Sequence, residues 1–116
     1  MSFTSTQNKG FRIKFENGFS ISVQWGTMNY CERKSFTDEA MLLNNPWWKS
    51  QDAEIAVFKN NNEKNESDDT MLPIGDNDSV IGWCSPEKVA QIMNIVSTSK
   101  NEYEIIKRIK SQFFLK

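Results

Sequence analysis

FRIKFENGFSISVQW, residues 11–25, decides the fold, because only one way of turning it gathers its apolar side chains on one surface. A two-residue Asn17-Gly18 loop would set Glu16 opposite Phe19 and Phe15 opposite Ser20, mixing polar and apolar groups on both faces. A three-residue loop of Glu16, Asn17 and Gly18, with Gly18 left-handed, instead sets Phe15 against Phe19, Ile13 against Ile21 and Phe11 against Val23. Trp25 extends that oily face. Arg12, Lys14, Ser20, Ser22 and Gln24 make the opposite face polar and rich in hydrogen-bonding groups.

Working outward, residues 1–9 are polar and read as a frayed terminus. Residues 26–48 hold no steady period, although Thr37-Asp38-Glu39 ahead of Ala40–Leu43 offers one helical turn that Pro46 would stop. DAEIAVFK, 52–59, alternates as a strand does. NNNEKNESDD, 60–69, is a polar low-complexity excursion expected to be a mobile loop. TMLPIG, 70–75, fits a short edge strand kept at the margin by Pro73. Val80–Cys84 is β-prone and runs into a helix start, with Ser85 as N-cap, Pro86 at the first helical position and Glu87 favoured by the helix dipole. Val89, Ile92, Met93 and Val96 form the apolar stripe of that helix. A second helix begins near Asn101, with Tyr103, Ile106, Ile109 and Phe113 as its stripe and Lys107, Arg108 and Lys110 on its basic side. The expected fold is α+β: an antiparallel sheet of about four strands, opened by the hairpin and packed on one face by two C-terminal helices, in one domain.

Bulk composition narrows the function classes. There is no histidine among 116 residues, which removes the commonest general base and transition-metal ligand. The net charge of −1 argues against a nucleic-acid coat, so no nucleic-acid polymer is expected as a partner. The two cysteines, Cys31 and Cys84, are too few and too far apart for a disulfide framework or a metal ribbon. The start, MSFTSTQNKG, lacks the apolar stretch of a signal peptide, and no apolar run approaches membrane length. A cytoplasmic protein with no membrane association, cofactor or metal is expected.

Three stretches carry a family resemblance: NGFSISVQWGTMNYC (17–31), AEIAVF (53–58) and VIGWCSPEKVAQIM (80–93), together roughly a third of the chain. Their Asn-Gly hairpin, strand ending in glycine near Asn-Tyr-Cys, acidic-apolar strand and Gly-aromatic-x-Ser-Pro helix start resemble a family of short bacteriophage and prophage proteins. The chain departs from that pattern at Thr27-Met28, in the 60–69 insertion and in its helix after residue 98. The resemblance implies a phage origin and a role by binding, either blocking a host protein or sequestering the nucleotide signal of a host defence system.

The candidate ligand-binding residues follow from surfaces. Arg12, Lys14 and Gln24, with Ser20 and Ser22, offer cations and hydroxyls suited to a phosphate-bearing nucleotide, if subunits stack or residues 26–48 roof that face; the plainer reading is a solvated surface. Trp25 and the Asn29-Tyr30 pair lie where the second strand of the hairpin leaves the sheet, and Cys31 beside them reads either as a small buried hydrophobe or as a thiol needing a base other than histidine. Of adjacent Trp47 and Trp48, one would be exposed as a stacking platform or partner anchor if the backbone is extended. Trp83 reads as core. Arg33-Lys34 reads as plain surface, and Asp76-Asn77-Asp78 lacks the later residues of a calcium loop. The expectation is a non-enzymatic binding protein and homo-oligomer that sequesters a nucleotide-like immune signal at a subunit interface. The alternative is an inhibitor that occludes a host enzyme through 26–48, and an enzyme using Cys31 ranks third.

Overall fold

The computed structural model describes residues 1–6, 9–26, 28–32, 49–62 and 64–114. Trp47, Trp48, Arg33-Lys34 and the helical turn at 37–43 lie outside the described residues.

The hairpin turns as its apolar pattern demands. Strands β2 (Gly10–Lys14) and β3 (Phe19–Gln24) pair antiparallel with Ile13 opposite Ile21 and Phe11 opposite Val23. The Phe15 amide donates to the Phe19 carbonyl at 2.9 Å, and Gly18 takes φ +90, a conformation open to glycine at little steric cost. Strand β1 (Ser2–Thr6) pairs along β2, which corrects the frayed reading of residues 1–9. Strand β4 (Ala53–Lys59) pairs antiparallel with β3. Two short strands share the other edge of β4: β5 (Thr70–Met71) beside Phe58 and Lys59, and β6 (Val80–Cys84) beside Ala53–Ala56. The sheet therefore has six strands, in the order β1-β2-β3-β4-β5 with β6 also on β4. Between β5 and β6 the chain sinks Leu72 and Ile74 into the core, although neither lies in a strand.

Helix α1 (Pro86–Thr98) starts where Ser85 Oγ accepts the Lys88 amide at 3.2 Å, and helix α2 (Glu102–Phe113) where Asn101 Oδ1 accepts the Glu104 amide at 2.9 Å. Ile92, Ile95 and Val96 of α1 and Ile105 and Ile109 of α2 join Ile21, Val23, Ile55, Val57 and Ile81 of the sheet in one core. Each isoleucine contributes about 1.5–3 kcal/mol by leaving water. The α2 stripe is thus rotated from the expected one, leaving Tyr103 70% exposed. Arg108 is not part of a plain basic face either. Its guanidinium donates to Thr98 Oγ1 at 2.9 Å and Ser99 Oγ at 3.0 Å, bracing the end of α1.

Candidate recognition surface

The cation at the centre of the polar sheet face is met by the chain's own acids. Arg12 Nη2 donates to Ser20 Oγ at 2.9 Å and to Asp69 Oδ2 at 2.5 Å, while Glu66 stands 3.7 Å from Nη1. The guanidinium lies 4.2 Å over the Phe58 ring, and the Asp69 side chain is only 1% exposed. The 60–69 excursion, expected to be a mobile loop, forms a 3-10 turn at Glu66–Asp68, and Glu66 of that turn and Asp69 just after it face that cation. Arg12 is therefore engaged rather than offered to a phosphate. Lys14 lies beside a separate cleft of about 550 Å³ with Glu16 and Asn60–Asn62. Gln24 Nε2 donates to Ser22 Oγ at 3.1 Å, and Trp25 turns to the oily face, edge-on to Phe11 at 6.1 Å.

Asn29 is a buried staple. Its Oδ1 accepts the Gly26 amide at 2.9 Å and its Nδ2 donates to Glu54 Oε1 at 3.3 Å, while Glu54 Oε2 accepts the Tyr30 amide at 3.0 Å. These bonds pin residues 28–31 against the start of β4 and fix where the Tyr30 ring stands. Across from it, the β4–β6 register slips between Ala53 and Ile55, so Gly82 and Trp83 together oppose Glu54 in a bulge. Trp83 takes φ +50 there, a left-handed conformation costing a bulky residue about 1–2 kcal/mol. Its amide donates to the Tyr30 carbonyl at 2.9 Å, and its ring meets Tyr30 at 5.5 Å between centroids with a 31° tilt. A Cβ on Gly82 would stand 2.7 Å from Tyr30 Cβ, so only glycine lets the two approach this closely.

The core reading of Trp83 is overturned: the bulge turns it outward, 59% exposed, next to Tyr30 at 42%. Both line a cleft of about 350 Å³ with Asp76, Asp78, Lys88 and Phe114. Neither Asp76 nor Asp78 has a cation within ion-pair distance among the described residues. Asp78 Oδ1 accepts the Ser79 amide at 2.6 Å and its carbonyl accepts the Gly75 amide at 2.9 Å, which fixes the turn that presents the acids. A second groove of about 370 Å³, between Trp25, Ala53, Cys84, Val89 and Met93, is mostly apolar, with Lys49 and Asp52 at its rim. Among the described residues no group of three or more acids and cysteines is placed to hold a metal. Nor is any helix among them long and apolar enough to cross a membrane.

Both thiols are buried: Cys31 Sγ donates to the Gly26 carbonyl at 3.5 Å and Cys84 Sγ to that of Ile81 at 3.5 Å. Burial pushes the Cys84 thiol from 9.0 up to about 11, with Lys88 pulling it back part of the way and Asp52 adding to the rise. The unfolded chain therefore loses this proton at lower pH than the folded one. The stabilisation is whole below pH 9 and is lost as pH climbs toward 11, about 2 kcal/mol by the upper end of that window. Urea titrations at stepped pH should show that slope, and Cys84→Ala should flatten it.

Comparison with family models, with curated proteins and with solved structures gives no match for this chain.

Proposed function

We propose that the protein is a non-enzymatic binding protein that engages another protein through the Tyr30–Trp83 surface. One observation carries this reading: a tryptophan is held in a strained left-handed conformation that exposes it, where an inward turn would bury apolar area. Exposed aromatic side chains beside a cleft are the usual anchors of protein interfaces. The unpaired Asp76 and Asp78 bias the cleft toward a partner segment bearing lysine or arginine, whose cation can also lie over an indole face. In the setting that the phage resemblance suggests, the partner is a host protein in the cytoplasm. A nucleotide-like ligand is the second reading. The tilted ring pair favours it as a stacking platform, with Lys88 lining the same cleft, whereas the two acids oppose it.

An arginine-rich peptide and, separately, AMP should be titrated while the indole N–H signal of Trp83 is followed by NMR, assigned through a Trp83→Phe variant. The peptide is expected to move that signal, less so at high salt and not in a double Asp76→Asn, Asp78→Asn variant. Movement with AMP alone would transfer the reading to nucleotides, and movement with neither would overturn the surface as a recognition site. Trp83→Asn, with peptide binding read by calorimetry because the indole signal goes with the residue, is expected to abolish binding yet leave stability within about 1 kcal/mol, because relief of the left-handed strain offsets the lost ring contact. Urea unfolding checks that balance.

A further inference from the structure

Among the described residues, strand β1 is the outermost strand of the sheet, paired on its inner side with β2. The Trp25 amide donates to the Lys9 carbonyl and that of Phe15 to Phe19, so the odd residues of β2 face β3 and Arg12 faces β1. Thr4, opposite Arg12, therefore spends its backbone groups inward, while Phe3 and Ser5 turn theirs out from the sheet. Natural sheets guard such an edge with charge, proline, a bulge or a very short strand. Ser2–Thr6, sequence SFTST, has none of these, and Phe3 stands 83% exposed on the same side as Ile13. The other edge of the sheet is short and bulged.

We propose that two copies of this chain pair antiparallel through β1, about a two-fold axis at Thr4. That register is self-consistent. Thr4 meets the partner's Thr4, while Phe3 meets the partner's Ser5, so the outward amides and carbonyls satisfy one another in about four hydrogen bonds. The two Phe3 side chains lie on one face as diagonal neighbours, about 7–8 Å apart at the backbone and within reach of each other's rings. An uncharged strand does not repel its copy, which favours a second copy over a charged foreign segment. Both Tyr30–Trp83 surfaces, at the opposite edge, stay open in the pair.

Sedimentation of the full chain from micromolar to millimolar concentration should show monomer passing to dimer. Ser5→Pro removes an outward N–H without touching the β1–β2 ladder and is expected to hold the chain monomeric throughout, with its melting temperature little changed. Phe3→Lys, which leaves the backbone intact, should weaken association about tenfold or more. Amide exchange of Phe3 and Ser5 should slow as concentration rises, while that of Thr4 stays constant. A native chain that remains monomeric at millimolar concentration would overturn the proposal, as would a dimer that survives Ser5→Pro with the exchange of Phe3 and Ser5 unprotected.

Discussion

Replacing Arg12 with methionine is expected to cost about 3–5 kcal/mol, because it strands a buried carboxylate. Asp69, 1% exposed at its side chain, accepts from Arg12 at 2.5 Å, and the Arg12 side chain is itself only 13% exposed. Ser20, fully buried, loses the same donor and keeps only its bond to Asn60 Oδ1 at 2.9 Å. The double variant Arg12→Met, Asp69→Leu should recover most of the loss, since removing both charges leaves neither unpaired. Urea unfolding of the two single variants and the double closes the cycle. A single-variant loss below about 1 kcal/mol would mean that water screens the pair as it does an ordinary surface bridge.

Asn17→Asp comes next, at about 2–4 kcal/mol, from a change of one atom. The Asn17 amide nitrogen donates to the Val96 carbonyl at 2.7 Å and the Ser99 carbonyl at 3.0 Å, so the hairpin turn caps the end of α1. An oxygen in that place would face two carbonyls, and its charge would sit at the negative end of a helix dipole. Asn17→Ala, which removes the bonds without adding repulsion, should cost less, about 1–3 kcal/mol. Lowering the pH protonates the new carboxyl and lets it donate again. The Asp variant alone should therefore gain stability as pH falls, a sign that thermal melts at pH 4 and pH 7 will read directly.

The two cases show what the sequence can and cannot disclose. The three-residue turn was legible because Phe15, Phe19, Ile13 and Ile21 fall on one face under that loop and no other. The strand-to-helix junction was legible because Ser85 and Pro86 carry capping chemistry in their own side chains. Strand β1 was not: SFTST has no apolar alternation, and its state is set by a neighbour in space. Asp69 belongs to a stretch that reads as a mobile polar loop, and only the burial of Arg12, far away in sequence, gives it a task. Trp83 faced outward because a bulge is a backbone event; Gly82 beside it was the one local hint. In α2, the aromatic residues suggested a stripe one step out of phase with the one that Ile105 and Ile109 define.

The divided edge of β4 sets a limit on how far association can go. A strand arriving there finds a two-residue β5, then Pro73, then a bulge whose Trp83 amide is already taken by Tyr30. It gets no run long enough to zip along. A molecule with two adhesive ends would propagate into a fibre, whereas one with a single adhesive end consumes it in the first encounter. The proposed pairing through β1 would thus be self-terminating, and even concentrated solutions should stay free of filaments.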